Sequence, residues 1–198
     1  MKKLLFFDFR ELERVEGFTR EIEPLTKRGD GPLLQPNEPW EHANLQLFGS
    51  VLRDADGLFR AWYSVIEPPW KIRMAYAESD DGVEWHKPAL DVFKHGEQWT
   101  NIVFTAQPLG PAVIEDLNDP RREWRFKLLA GAEPSGCITA YRSADGVHWH
   151  PARTFSRRAQ PAISTEPDCP IGFLRASDGR YVAYHRMALA LMRRYRGG

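Results

Sequence analysis

Three acids in this chain stand outside the obvious turns, in company that could do chemistry. Asp8 interrupts an otherwise apolar run, Phe6-Phe7-Asp8-Phe9, where a carboxylate needs either solvent or a paired role. Glu41 follows Trp40 in PWEHANLQLFGS. There the indole could stack on a flat ligand face while Glu41, His42 and Asn44 offer polar contacts, the mixed lining a small-molecule cleft requires. Plain packing of Trp40 beneath its loop is the competing expectation. Asp168 opens Asp168-Cys169-Pro170-Ile171, just ahead of an apolar strand, and Glu166 is its nearest substitute. Arg73 and Arg186 could clamp a carboxylate or hydroxyl, although arginines on strands more often make surface ion pairs. The six histidines show no H-E-x-x-H or other ligand spacing, and neither a phosphate-cradling glycine loop nor a G-x-S-x-G elbow is present. The sequence therefore predicts neither a catalytic metal nor a cofactor.

Composition narrows the partners. Lys+Arg and Asp+Glu are equal at 27 each, so the chain lacks the positive excess that draws a protein to nucleic acid or to an anionic membrane surface. Its 198 residues fit one domain or part of a larger one. Two cysteines, Cys137 and Cys169, make neither a disulfide framework nor a zinc spacing. The start, MKKLLFFDFRELERV, offers four apolar residues where a signal peptide needs about 7–15. No run reaches the roughly 20 apolar residues of a membrane-spanning helix. The expectation is a cytoplasmic protein of undetermined oligomeric state.

The elements that must position these residues are written as a repeat. SDDGVEWHKP from Ser79 and SADGVHWHPA from Ser143 share Ser-x-Asp-Gly-Val-x-Trp-His. Asp accepts local backbone N–H bonds and Gly takes φ > 0 at little cost, so both stretches predict tight turns, with Trp85 and Trp149 packing one sheet against the next. Asp81 and Asp145 are thereby assigned to architecture, and Asp54, Asp56, Asp80 and Asp178 to other turns. Ahead of each copy come an apolar run, a turn and a second apolar run, the pattern of a hairpin. The first runs centre on Val51, Val113 and Phe173, at nearly even intervals along the chain. Within the first unit IRMAYAES reads as a third strand, and a short fourth strand is expected around Val92 and Phe93.

A unit of this length cannot cover both faces of its own sheet, so neighbours must stack. Radial stacking gives a β-propeller of four-stranded antiparallel blades. The expected organisation is an N-terminal strand and lead-in over 1–47, a blade over 48–100, a blade over 101–160 and an incomplete blade over 161–198. About three blades fall short of the roughly 4–8 of a closed ring, which predicts an N-terminal part of a longer propeller or one closed by assembly.

FGSVLRDADGLFRAWY, MAYAESDDGVEWHKP, EWRFKLLAG and DGRYVAYHR together resemble the five-bladed propeller glycoside hydrolases, with similarity to families 32 and 43. The resemblance runs from about Leu4 to Arg186 and covers three blades of five. It implies that LLFFDF joins the last blade to close the ring. Asp168 is similar to the Asp-Pro-x-Ile start of family 43 blades, with Cys169 as a departure. Asp116 lies in VIEDLNDP, where Asp119-Pro120 resembles the Arg-Asp-Pro motif of family 32 with Asn118 in place of its Arg. Turn chemistry also explains that segment. The repeat differs from the sialidase Asp-box, since Asp and Gly are adjacent here.

Glycoside hydrolysis needs two carboxyl groups flanking the scissile bond, which in a propeller lie where the innermost strands converge. On this reading Asp168, Glu41 and Asp8 are the catalytic candidates. Trp40, His42, Asn44, Arg73, Glu166 and Arg186 line a site for an oligosaccharide or glycoside. The alternatives are a non-catalytic sugar-binding or scaffold propeller, or a truncated chain inactive by itself.

Overall fold

The apolar runs on either side of each predicted turn do pair, and the chain is all-β. The computed structural model describes residues 16–17, 24–27, 29, 31–42, 44–69, 71–106, 108–132, 137–155 and 167–187. The chain divides into Met1–Pro32 and Leu33–Gly198. Of the first unit, the described residues are exposed and form no strand. The second holds twelve described strands and two single-turn 3-10 segments, Pro39–Glu41 and Arg122–Trp124.

Strands β1 (Leu45–Arg53), β2 (Phe59–Glu67), β3 (Lys71–Ser79) and β6 (Ile102–Phe104) form one antiparallel sheet in the order β1-β2-β3-β6. A hairpin of β4 (Leu90–His95) and β5 (Gln98–Thr100) is inserted between β3 and β6. Strands β7 (Leu109–Glu115), β8 (Phe126–Ala132), β9 (Cys137–Ser143) and β10 (His150–Phe155) make the second sheet. Strands β11 (Pro167–Arg175) and β12 (Tyr181–Met187) pair as a third hairpin. Val92 and Phe93 lie in β4, which pairs with β5. The fourth strand of the first sheet is Ile102–Phe104 instead, past the expected boundary at residue 100. Burial explains the difference: Ile102 and Val103 are core residues, whereas β4 presents exposed Asp91 and Lys94.

The three first hairpins share one register. Ser50 faces Trp62, Ala112 faces Leu129 and Gly172 faces Tyr184; two residues on, Leu52 faces Arg60, Ile114 faces Lys127 and Leu174 faces Val182. The even spacing of the hairpins in sequence is therefore a repeat of structure. The first strands of the units are neighbours, β7 lying against both β1 and β11. The Val113 N–H donates to Ser50 Oγ at 2.8 Å, tying β7 to β1.

The core between the two four-stranded sheets joins Trp62, Met74, Tyr76 and Val103 of the first to Val113, Phe126, Leu128 and Ala130 of the second. Alternation along each strand delivers these residues to one face. Trp62 is fully buried, its ring centroid 5.6 Å from that of Tyr76 and 5.9 Å from that of Phe126. The opposite face of the first sheet carries Tyr63, Val65, Ala75 and Ala77, covered by Trp40 and Leu34 of the lead-in.

The two Ser-x-Asp-Gly turns are the same structure twice. Ser79 Oγ accepts the Asp81 and Gly82 N–H groups, and Asp81 Oδ1 accepts those of Val83 and Glu84. Ser143 and Asp145 repeat all four bonds to Asp145, Gly146, Val147 and His148. Gly82 and Gly146 both take positive φ, 73° and 82°. Trp149 packs on the inter-sheet core as expected, whereas Trp85 does not join two sheets: it packs on the Tyr63 face of the first sheet, which Trp40 and Leu34 cover. The return strand then diverges. His150 opposite Arg142 opens β10, whereas His86 opposite Glu78 makes one isolated bridge before the chain departs through Lys87 and Pro88.

At the second turn, His148 bridges two carboxylates, with Nδ1 2.8 Å from Asp145 Oδ2 and Nε2 3.0 Å from Asp91 Oδ1. The bond to Asp145 raises the His148 pKa against a smaller opposing effect of burial, and the charge of Asp145 and the contact with Asp91 raise it further. For Asp145, burial opposes ionisation, but the bonds from His148 and the turn N–H groups hold its pKa down to about 2. A raised histidine pKa contributes stability that is complete below the unfolded value of about 6.5 and fades as pH rises through the folded value. The Asp145 contribution is present above about 3.9 and is lost only as pH falls toward its folded value. The unfolding midpoint of wild type should therefore exceed that of His148→Ala by more at pH 5.5 than at pH 8.5. An equal gap at both pH values contradicts the clamp. Because the pair is exposed, the effect stays below about 1 kcal/mol.

Candidate functional site

Glu41 ends a single 3-10 turn begun by Pro39, in which Pro supplies the helical φ without a needed N–H. That turn carries Glu41 under the lead-in, where it is fully buried. Its Oε1 accepts the Tyr63 hydroxyl at 2.7 Å. Its Oε2 accepts the backbone N–H groups of Asn37 and Glu38 and, at 2.6 Å, the ammonium of Lys87. Lys87 places its remaining donors on Gln35 O and Asn37 Oδ1. Asn101 extends the network: its Nδ2 donates to Tyr63 Oη and to Tyr76 O, and its Oδ1 accepts the Trp40 indole N–H at 2.8 Å. Burial and the Glu41 charge push the Tyr63 pKa up, so the phenol stays protonated and keeps donating.

Every donor and acceptor in this cluster is matched, which is how a buried charge becomes tolerable. The arrangement clasps the lead-in onto the first sheet. As placed, Glu41 has no oxygen left for a substrate, and Trp40, 3% exposed, has no face free for stacking. The packing of Trp40 beneath its loop, the competing expectation, is what the structure holds. His42 follows the turn exposed and with φ 49°, and Asn44 contributes backbone bonds to Glu41 and Ile66.

Arg73 lies on the same face of the first sheet and is also buried. Its guanidinium stacks 4.7 Å over Phe93, with Nη2 2.9 Å from Glu67 Oε2, while its Nε–H meets no acceptor. It is an ion-paired residue of the sheet. Asp168 falls near the beginning of β11 and Arg186 within β12, but their side chains lie outside the described residues. Asp8 and Glu166 lie outside the described residues altogether.

Asp54 and Asp116, set aside as turn residues, stand at one position of the repeat. Each N–H closes its hairpin, Asp54 to Leu58 O and Asp116 to Arg125 O, and each carboxylate pairs with a cation of the second strand. Asp54 Oδ2 lies 2.7 Å from Arg60 Nε, and Asp116 Oδ2 lies 3.0 Å from Lys127 Nζ. Burial opposes ionisation of both, and their hydrogen bonds more than offset it, leaving both pKa values lowered. Tyr181 of the third hairpin also donates to Asp116 Oδ2, at 2.5 Å, which fastens that hairpin to the second sheet.

Lys87 and Tyr63, which bond Glu41, and Asn101, which reaches it only through Tyr63, come from distant parts of the chain and cannot be foreseen from the residues around Glu41. The one available signal is Lys87 itself, placed where the second copy of the repeat has Pro151. Among the described residues no group of three or more His, Cys, Asp or Glu could hold a metal ion, and no helix is long and apolar enough to cross a membrane. No protein-family model matches the chain, and no curated protein or solved structure matches it.

Proposed function

We propose that the successive sheets are blades of a β-propeller of the five-bladed type, and that carboxylates near its axis hydrolyse a glycosidic bond in an oligosaccharide. One observation carries the reading: three hairpins in one register whose first strands are neighbours, β7 against both β1 and β11. Strands that recur side by side in this way bring the beginnings of distant segments toward a common centre. Asp168, near the beginning of β11, is the carboxylate that such an arrangement would use. Exposed Leu174, Val182 and Tyr184 support the blade reading as well. They are register counterparts of residues that pack beneath the next sheet in the first unit, Leu52 and Trp62 among them. A further blade would cover them.

In this reading Glu41 and Lys87 hold the lead-in, and the partner of Asp168 comes from elsewhere in the ring. A retaining enzyme would set the two carboxyl groups about 5–5.5 Å apart and an inverting one about 6.5–9.5 Å. The test is Asp168→Asn, assayed on a panel of chromogenic glycosides with sugar affinity measured in parallel. The expected result is a loss of turnover of about 10²-fold or more with affinity retained. Sugar binding without turnover in the parent protein would point to a binding scaffold, and turnover unchanged by the substitution would remove Asp168 from the chemistry.

A further inference from the structure

Between the two four-stranded sheets lies a cavity of about 340 Å³ whose walls come from β2, β3, the Arg122–Trp124 turn and the second Ser-x-Asp-Gly turn. That volume is at the small end of the range for ligand sites. Three guanidinium groups line it, those of Arg60, Arg122 and Arg125. Arg60 commits Nε to Asp54 and Nη1 to the Tyr76 hydroxyl and the Asp145 carbonyl, leaving Nη2 free among the described residues. Arg125 commits Nε and Nη2 to Glu115, with Asp56 Oδ2 3.7 Å from Nη2, leaving Nη1. Arg122 has no side-chain partner among the described residues, so all five of its N–H donors are available. On the acceptor side Glu78 Oε2 takes the Tyr76 hydroxyl at 3.1 Å, and Oε1 is unclaimed among the described residues. Asp145 also lines it, its carboxylate engaged by the Val147 and His148 N–H groups and the His148 ring, and the rest of the lining is largely apolar, with Pro88 and Leu90 among it.

Unclaimed donors thus outnumber unclaimed acceptors, with Arg122 the one guanidinium of the lining that holds no carboxylate among the described residues and one Glu78 oxygen to spare. An occupant that satisfies this inventory is rich in acceptors, brings Arg122 the carboxylate it lacks and carries at least one hydroxyl for Glu78. The planar fork of a guanidinium matches a carboxylate better than it matches a spherical anion. A compact ring body suits the apolar wall. We propose that this cavity binds a small hydroxylated carboxylate of the uronic acid class, with Arg122 and Arg125 on the carboxylate and Glu78 accepting from a hydroxyl. None of these residues lies on a first strand, so the proposal is independent of the glycosidase reading.

Titration calorimetry of the 198-residue chain with glucuronate, glucose and sulfate at fixed ionic strength tests it. Saturable binding of glucuronate is expected, weakened at least about tenfold by Arg122→Ala, the loss of a charge-assisted hydrogen bond. Arg122 is exposed and makes no side-chain bond to another described residue, so its replacement leaves the fold intact, which circular dichroism verifies. Glu78→Gln provides a second variant, expected to weaken glucuronate without creating sulfate binding. No saturable heat with glucuronate, equal affinity for glucose, or full affinity in Arg122→Ala overturns the site. Sulfate binding as tight as glucuronate overturns the hydroxylated carboxylate as its ligand.

Discussion

Lys87→Met should cost about 3–5 kcal/mol of unfolding free energy, among the largest losses available to a single substitution in this chain. The ammonium lies 2.6 Å from Glu41 Oε2, with the lysine side chain 6% exposed and the glutamate fully buried. Removing it leaves a buried carboxylate whose remaining donors are one phenol and two backbone N–H groups. Adding Glu41→Gln in the Lys87→Met background discharges the carboxylate while keeping an oxygen for Tyr63. The double variant should therefore recover part of the loss, with a coupling of at least about 1 kcal/mol. Urea denaturation at pH 7 reads both quantities. A Lys87→Met chain within about 0.5 kcal/mol of wild type would show that the clasp does not hold the lead-in.

The second large effect separates turn geometry from inter-sheet contact. Gly82 and Gly146 occupy the same position of the same turn with nearly equal φ, so alanine at either incurs the same left-handed backbone penalty of about 1–2 kcal/mol. Their surroundings differ. A Cβ on Gly82 would sit 3.5 Å from the Phe59 ring, an ordinary contact, whereas a Cβ on Gly146 would sit 2.7 Å from Trp62 Cζ2. The Trp62 indole also donates to Gly146 O at 2.7 Å, which fixes the ring against the turn. Gly146→Ala should therefore be the more destabilising by a further amount of about 1–3 kcal/mol, the usual cost of overpacking a core. Thermal denaturation of the two variants side by side makes the comparison. Equal losses would mean that the second turn does not interlock with the first sheet.

Much of the architecture was legible because it rests on local chemistry repeated. Ser79-Asp80-Asp81-Gly82 and Ser143-Ala144-Asp145-Gly146 need only their own side chains to close a turn, so their spelling predicts their bonds. The hairpin centres at Val51, Val113 and Phe173 were legible for a related reason. Each is an apolar strand flanked by a turn, and alternation fixes which face of the sheet each residue takes. The fourth strand of the first sheet was not legible from Val92 and Phe93. A strand's partner is decided by burial after the chain has turned back, and Ile102-Val103-Phe104 outcompetes the more polar β4 for the edge of β3.

The carboxylates divide in the same way. Asp54, Asp81 and Asp145 bond to backbone within a few residues, and sequence alone placed them in turns. Glu41 could not be read from its neighbours, since Lys87 and Tyr63 reach it, and Asn101 braces Tyr63, only once the first sheet has formed. An aromatic beside an acid, as in Trp40-Glu41, spells a ligand cleft and a buried clasp equally well. Which of the two it becomes depends on a lysine far downstream.

The proposed propeller requires the second sheet to seat against the first through Trp62 and the turn at Gly146, with β1 and β7 side by side. Nuclear Overhauser spectroscopy on the isotopically labelled chain tests this directly. Cross-peaks are predicted from the Trp62 indole N–H proton to Gly146 and to the Phe126 ring, together with slow exchange of the Val113 amide bonded to Ser50 Oγ. An indole proton in rapid exchange with water and without contacts to Phe126 or Gly146, alongside an unprotected Val113 amide, would contradict the stacking and the propeller reading built on it.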